Sequence, residues 1–276
     1  MQTEIHGKKS NECCTKYPLL MVHGVFFRDW ENFNYWGRIP AALEQNGATI
    51  FYGNQQSADS VEQSAKDIAL RISEIIKQTG CEKVNIIAHS KGGLDSRYAI
   101  SVLKMSPFVA SLTTINTPHQ GCKYAEHFLH KISKNKQKIV AYFYNRAFKK
   151  HGDPNPDFLG GVTALSYEKC QELNKIMPDM PGVFYQSVGS KINHAFGGQF
   201  PLFLTYRIVK RYDGENDGLV GKDSWQWGTV YKFLHTEHRR GISHGDMIDL
   251  NRKDIKAFDV RQFYIQLVSD LRKKGF

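Results

Sequence analysis

The fold is decided by one stretch of the chain, Val84-Asn85-Ile86-Ile87-Ala88-His89-Ser90-Lys91-Gly92-Gly93-Leu94. Its first half is apolar and rich in Val and Ile, which is typical of a buried parallel strand. The residues from Ala88 to Gly92 predict a tight turn, and those from Leu94 to Met105 have the spacing of a helix. The sequence therefore predicts a strand, a sharp turn and a helix, with Ser90 at the turn.

Ser90 lies between two very small residues, Ala88 two positions before it and Gly92 two positions after it. At such a turn the serine takes a strained backbone conformation, and the strand and helix approach each other only where the neighbouring side chains are small. This geometry exposes the hydroxyl and directs the N-terminus of the helix at it, as a serine nucleophile requires. The alternative for these residues alone is a turn that only packs, so the prediction needs partner residues elsewhere.

A serine hydroxyl is a poor nucleophile at neutral pH, and it needs a basic side chain that a carboxylate orients. Asp217 lies in a turn after a predicted strand, and His244 lies in a glycine-flanked loop before the last predicted helix. Ser90, Asp217 and His244 follow one another in an order known for such triads, and each lies at a turn. The sequence also offers rival acids, Asp213 and Asp223, and rival bases, His235 and His238.

A tetrahedral intermediate needs two hydrogen-bond donors for its oxyanion. One candidate is the backbone N–H of Lys91, the residue directly after the nucleophile. The second is expected after the first predicted strand, where His23-Gly24-Val25 offers the backbone N–H of Val25. We expect His23 itself to be a packed, hydrogen-bonded residue.

Strands and helices alternate around the central stretch, which predicts an α/β fold with a mostly parallel sheet and helices on both faces. Residues 1–276 are expected to form one domain, with a loose arm at residues 1–16. Further strands are predicted at 18–22, 48–52, 109–115, 183–188, 202–209 and 229–234, and further helices at 38–46, 60–79, 166–176 and after Asp259.

The alternation breaks at residues 122–161, where His, Lys and aromatic residues mix. Amphipathic helices inserted after a parallel strand are typical of a lid, whose apolar side covers the site and whose charged side faces water. An ordinary extra helix pair is the alternative. The densest basic cluster of the chain falls here, and it is either a solvated face or an attraction to anionic lipid. The cluster consists of Lys131, Lys134, Lys136, Lys138, Arg146, Lys149 and Lys150.

Composition limits the partners and the cellular location that we expect for the protein. No apolar run reaches the roughly 18 residues that span a bilayer. The net charge of +10 is spread along the chain without any nucleic-acid-binding module, so no nucleic-acid partner is expected. Residues 1–16 have no apolar signal region, which predicts a cytoplasmic protein, or a secreted one whose leader was removed. Five cysteines form an odd set without metal-ligand spacing, which favours free thiols in a reducing compartment.

Taken together, the motifs resemble the bacterial triacylglycerol lipase family, and most closely its clostridial-type members. The resemblance covers most of the chain after the arm. It implies the α/β-hydrolase fold, with Ser90 as nucleophile, Asp217 as acid, His244 as base, and Val25 and Lys91 as oxyanion donors. The matching segments are 17–24, 33–37, 88–98, 117–121, 216–220 and 243–246.

Two departures from that family bear on expected ligands. Secreted relatives form a disulfide through a cysteine six residues after the catalytic acid, and Asp223 stands at that position here. Several relatives bind a structural Ca²⁺ through an Asp two residues after the catalytic histidine, which Asp246 matches. A full Ca²⁺ site needs six to eight oxygens. The resemblance therefore implies no cofactor for the chemistry and marks Asp246 as a candidate calcium ligand, the alternative being a bond within the His244 loop.

The sequence thus predicts a serine carboxylic-ester hydrolase of lipase type that acts on triacylglycerol or other acyl esters and touches lipid surfaces transiently. A short-chain esterase or a phospholipase is the alternative within enzymes. A catalytically silent α/β-hydrolase-fold binding protein is the alternative of another class. Acyl-chain preference and oligomeric state are not predicted.

Overall fold

The computed structural model describes residues 10–25, 34–56, 58–150, 156–198 and 202–276. Within them one sheet of six strands forms, and every pair of neighbouring strands runs parallel. The strands are β1 (Leu19–Val22), β2 (Ile50–Tyr52), β3 (Val84–His89), β4 (Val109–Ile115), β5 (Phe184–Ser190) and β6 (Thr229–Leu234). Their order is β2-β1-β3-β4-β5-β6, so β3, which leads into Ser90, lies in the interior of the sheet.

Helices cover both faces of this sheet, because alternate strand residues point to opposite sides. Leu19 and Met21 of β1 join one buried cluster, and Leu20 and Val22 join the other. The predicted α/β architecture is confirmed. The helices are α1 (Ile39–Gln45), α2 (Val61–Thr79), α3 (Lys91–Ser101), α4 (Lys123–Lys131), α5 (Lys134–Lys150), α6 (Phe158–Ala164), α7 (Tyr167–Ile176), α8 (Leu202–Asp213) and α9 (Val260–Lys273).

The two faces are closed by different helices. Helices α1 and α9 pack on the side of Leu19, and α2 and α3 pack on the side of Leu20. Side-chain caps stabilise the first turns of two of these helices. Ser60 caps α2 by accepting a hydrogen bond from the Gln63 N–H, and Asp259 caps α9. Among the described residues, no helix combines the length and the apolar character needed to cross a bilayer.

Helix α3 begins three residues earlier than its spacing predicts, at Lys91 instead of Leu94. The reason is that Ser90 itself occupies the position before the first helical residue, so the helix follows the strand without a loop. The first turn of α3 is buried on all sides, including Lys91 and Asp95. An amphipathic pattern therefore could not mark where this helix starts.

The strand predicted at residues 202–209 is wrong, because this segment belongs to helix α8. Thr205, Ile208 and Val209 are β-branched, and that composition favoured a strand. Tyr206 and Val209 are buried whereas Arg207 and Ile208 are exposed, which is helical spacing. Burial at helical spacing outweighs the weak intrinsic preference of β-branched residues.

The predicted arm is described only from residue 10 onward, and residues 10–16 are packed rather than loose. Cys13 is fully buried, and its N–H donates to the Asn46 carbonyl. The Lys16 N–H donates to the carbonyl of Phe276, the last residue of the chain. Backbone hydrogen bonds to distant segments hold this stretch in place. Such bonds produce no periodic pattern of residues, so the sequence did not predict them.

The Arg97 side chain of helix α3 is a buried cation. The Arg97 guanidinium stacks on the Trp227 ring at 3.3 Å and donates to the Asn174 side chain and the Met177 carbonyl. Burial lowers the pKa of Arg97 to about 10. His119 lies beside it with both ring nitrogens near polar partners, and burial together with the Arg97 charge lowers the pKa of His119 well below its ordinary value.

His119 therefore makes stability depend on pH. Its folded-state pKa lies below the unfolded value, so below about pH 6.5 only the unfolded chain gains a proton at this ring. The free energy of unfolding should be insensitive to His119 above that pH, and should fall below it by about 1 kcal/mol per pH unit. Urea denaturation of the wild type and of His119→Gln, between about pH 7 and pH 5, measures this difference in slope.

The exposed His235 provides the control. The His235→Gln variant should keep the wild-type dependence on pH, whereas His119→Gln should reduce its slope and leave the part due to the buried His89. Equal slopes for the wild type and His119→Gln would show that the buried ring titrates normally in the folded chain.

Candidate active site

Ser90 sits at the carboxyl end of β3 in a left-handed backbone conformation, with φ 55° and ψ −132°. Its N–H donates to the Ile115 carbonyl of the neighbouring strand. Small residues make this turn possible. A Cβ added at Gly24 would lie 2.7 Å from the Ser90 Cβ, and one added at Gly92 would lie 2.9 Å from the Val22 carbonyl oxygen. Gly24 therefore lets the loop after β1 lie against the strained serine, and Gly92 lets the start of α3 lie against the end of β1.

The structure brings two of the predicted catalytic side chains into direct contact. His244 Nδ1 lies 2.7 Å from Asp217 Oδ2, and both side chains are buried. The His244 N–H also donates to the Asp217 carbonyl at 2.9 Å, so backbone and side chain are both tied to the same residue. With Nδ1 facing the carboxylate, Nε2 is the ring nitrogen left for another partner.

Asp217 is held rigidly by neutral donors. Its Oδ1 accepts the backbone N–H groups of Leu219 and Val220 at 2.8 and 2.7 Å, and its Oδ2 accepts the Asn116 side-chain amide at 2.6 Å. Asn116 directly follows β4, and its amide also donates to Ser190 at the end of β5. The sequence reasoning did not assign Asn116 a role. The available signal was its place directly after a buried parallel strand, where binding side chains collect.

The rival acids and bases lie elsewhere. Asp213 accepts the backbone N–H groups of Lys123 and Tyr124 at the start of α4, and Asp223 is exposed. His235 and His238 are also exposed and do not line the cavity that contains Ser90.

His89 and Tyr35 form a second buried polar contact, next to His244. The sequence did not predict this contact. The Tyr35 hydroxyl accepts the Gly24 N–H at 3.1 Å, and its oxygen lies 2.7 Å from His89 Nδ1 in a hydrogen bond. The His89 ring packs against the His244 ring with centroids 4.4 Å apart. Burial and the nearby His244 charge lower the pKa of His89 well below its ordinary value, so this ring is neutral and supports His244 by packing.

The two oxyanion-donor candidates lie on either side of Ser90 in the fold. Val25 follows β1 and lines the same cavity as Ser90, and Lys91 is the first residue of α3. His23, next to this segment, is buried and hydrogen-bonded to the Gln55 carbonyl, as the sequence predicts.

The Lys91 side chain points into the protein instead of toward the cavity. Its Nζ donates to Asp95 Oδ1 at 2.7 Å and to the Ser64 hydroxyl at 3.0 Å, and both ionisable side chains are almost wholly buried. Burial raises the pKa of Asp95 to about 7 against the pull of the Lys91 charge. This contact joins the first turn of α3 to the start of α2, and so fixes the backbone directly after Ser90.

Ser90 and His244 open onto one cavity of about 780 Å³ with a mainly apolar lining. Its volume is in the range of small-molecule binding sites. Helices α4, α5 and α6, from the segment predicted as a lid, supply part of the wall, and α8 supplies another part. Apolar lining residues from these helices include Phe128, Tyr144, Phe158, Val162 and Ile208.

Asp246 does not fit the calcium role implied by the family resemblance. Its carboxylate pairs with the Arg240 guanidinium at 2.6 and 2.9 Å, and it also accepts the N–H and the hydroxyl of Ser243. The Asp246 carboxylate oxygens therefore already accept hydrogen bonds. A calcium ion bound there would be repelled by the Arg240 charge. The acids lining the same surface pocket are arginine-paired as well, Asp249 with Arg38, and Asp254 with Arg38 and Arg261.

Bacterial lipases are among the known proteins that are similar in sequence to this chain. The triacylglycerol lipase of Pseudarthrobacter phenanthrenivorans is 35% identical over 177 residues, covering 59% of this chain and 54% of the relative. The triacylglycerol lipase of Pseudomonas fragi is 26% identical over 293 residues, covering 95% and 98%. The resemblance to this family is confirmed. The chain spans about half the length of the first relative.

Solved structures share the fold at low sequence identity. The Staphylococcus hyicus lipase superposes with a TM-score of 0.71 at 17% identity, over 97% of this chain and 99% of that chain. This likeness confirms the α/β-hydrolase fold. The sequence model described as palmitoyl protein thioesterase matches residues 18–159, which is just over half of the chain. The chain therefore belongs to the palmitoyl protein thioesterase family of the α/β-hydrolases.

Proposed function

We propose that the protein hydrolyses acyl esters of lipids through an acyl-enzyme on Ser90. The observation that carries this proposal is the buried hydrogen bond between His244 Nδ1 and Asp217, on the wall of the cavity that contains the strained Ser90. A hydroxyl, an imidazole and an oriented carboxylate are the groups that nucleophilic acyl transfer requires.

In the proposed reaction the Ser90 Oγ attacks the ester carbonyl carbon while its proton passes to His244 Nε2. Asp217 stabilises the imidazolium through the Nδ1 hydrogen bond. The backbone N–H groups of Val25 and Lys91 would hold the oxyanion. The intermediate then collapses to the acyl-enzyme, and the departing alcohol takes the proton from His244. Water, activated by His244, hydrolyses the acyl-enzyme and restores Ser90.

The cavity supports a lipid as substrate. Its mainly apolar wall favours an acyl chain over a polar group, because burial of apolar surface is the main source of binding free energy there. Relatives named triacylglycerol lipase are consistent with a neutral glyceride as one such substrate.

An acyl thioester is the second candidate, and the description of the matching family favours it. The acyl half of the substrate and the serine chemistry are the same for a thioester and an oxygen ester. Comparing palmitoyl thioester with p-nitrophenyl palmitate in one assay separates the two, because only the leaving group differs.

We further propose that helices α4, α5 and α6 act as a lid that contacts anionic lipid surfaces. Helix α5 exposes Ile139, Tyr142 and Phe143, each more than half accessible to solvent. Exposed Lys134, Lys136 and Lys138 lie at its start. Exposed apolar side chains next to cations suit the surface of an anionic membrane. The apolar side chains can enter the acyl-chain region while the cations pair with the negatively charged headgroups.

Ser90→Ala should lower kcat for p-nitrophenyl butyrate by about a millionfold, because no other group can form the acyl-enzyme. Asp217→Asn should lower kcat by about ten-thousandfold, since the imidazolium loses its charged partner and its fixed tautomer. Initial rates measure both losses. Ser73→Ala, in the exposed middle of α2, is the matched control and should behave as the wild type. Ester hydrolysis at a normal rate by Ser90→Ala would refute the proposal.

The ion pair between Arg240 and Asp246 should make the His244 loop independent of added calcium. We expect EDTA to leave kcat/KM on p-nitrophenyl butyrate unchanged. Arg240→Met should lower it by about ten- to a hundredfold, because the orienting partner of the loop is lost. Arg272→Met, at the exposed end of α9, is the control. Loss of activity in EDTA with recovery on adding Ca²⁺ would contradict this account.

A further inference from the structure

A second cavity, of about 630 Å³, lies beside helix α8. Three of its lining side chains are cations, Arg207 and Lys210 of α8 and Arg239 from the loop after β6. Among the described residues that line it, none is an aspartate or a glutamate. Cations collected around one cavity without an acid raise the local concentration of anions.

The acids nearest in sequence to these cations do not line the cavity. Glu237, two residues before Arg239, is exposed and is absent from the described lining. Asp213, at the end of α8, accepts the backbone N–H groups of Lys123 and Tyr124. Glu215 pairs with Lys191 and Lys222. Within the described ranges, neither Arg207, Lys210 nor Arg239 forms an ion pair, so the three charges stay available to a ligand.

The cationic cavity adjoins the acyl cavity. Arg207 lines both cavities, and Arg211, one helical turn later, lines the acyl cavity. Residues four apart in a helix lie on the same face, so α8 carries cations along the boundary between the acyl cavity and the cationic cavity. A ligand with a long apolar chain and an anionic group would match this pair of compartments.

We propose that the cationic cavity binds the phosphate of a phosphate-bearing acyl lipid whose ester lies at Ser90. Arginine suits this role, since its planar guanidinium donates two hydrogen bonds to one phosphate. The inference deepens the proposed function and rests on it. Phosphate as a lipid headgroup and free inorganic phosphate present the same chemistry to these side chains, so the experiment includes both.

The test compares two monomeric substrates with the same acyl chains, dihexanoylphosphatidylglycerol and dihexanoylglycerol. Lys210 and Arg239 line only the cationic cavity, so the double variant Lys210→Gln/Arg239→Gln removes charge without touching the acyl cavity. Its kcat/KM for the phospholipid should fall about tenfold, mainly through KM, because two exposed cations that pair with the phosphate are lost. Its kcat/KM for dihexanoylglycerol should not change.

A matched control removes the same charge at a distance. Lys77→Gln/Lys232→Gln changes two exposed lysines that line none of the three cavities described, and it should leave both substrates unaffected. Inorganic phosphate should compete with the phospholipid and not with dihexanoylglycerol. Phosphate that binds the wild type without any preference for the phospholipid would show a site for the free ion and overturn the proposal.

Failure of the phosphate site and failure of the ester hydrolase give different experimental results. A wild type that hydrolyses dihexanoylglycerol, together with a double variant that keeps its phospholipid rate, overturns the headgroup site alone. An equal fall on both substrates also overturns it, because the two cations would then act on the catalytic site. A wild type inactive on both substrates, under conditions where Ser90→Ala is equally inactive, overturns the ester hydrolase itself.

Discussion

The left-handed backbone of Ser90 is the constraint on which the rest of the structure depends. It lets β3 turn directly into α3. Gly24 leaves room for the Ser90 side chain, and Gly92 lets α3 approach the end of β1. The buried pair of Lys91 and Asp95 then anchors the first turn of α3 from below. Strain at the serine is therefore balanced by contacts that extend through two helices and the neighbouring strand.

The carboxyl edge of the parallel sheet assembles the remaining groups. Val25 follows β1, Asn116 follows β4, Asp217 lies between β5 and β6, and His244 follows β6. Adjacent parallel strands bring these loops to one edge, although they are far apart in sequence. The loop of His244 is fastened at two points, by Asp217 on one side and by the Arg240–Asp246 pair on the other. The Arg240 guanidinium thus supplies the positive charge that holds the Asp246 carboxylate.

Much of this arrangement could be predicted from the sequence, because its signals are local. The turn at Ser90 is marked by small residues, and the candidate acid and base follow in chain order at turns. The role of Arg240 and the burial of Lys91 could not be predicted, since each depends on a partner chosen by the tertiary fold. Helix α8 was missed because β-branched residues weigh against a helix until the burial of Tyr206 and Val209 is known.

The central claim is that Ser90 is an activated nucleophile served by His244 and Asp217. Reaction with a fluorophosphonate followed by peptide mass spectrometry measures this directly, because the probe modifies only serines whose hydroxyl is activated. The account predicts a single phosphonylated residue, Ser90, in the wild type and strongly slowed labelling in His244→Ala. Labelling of another serine, or labelling of Ser90 at the same rate without His244, would contradict it.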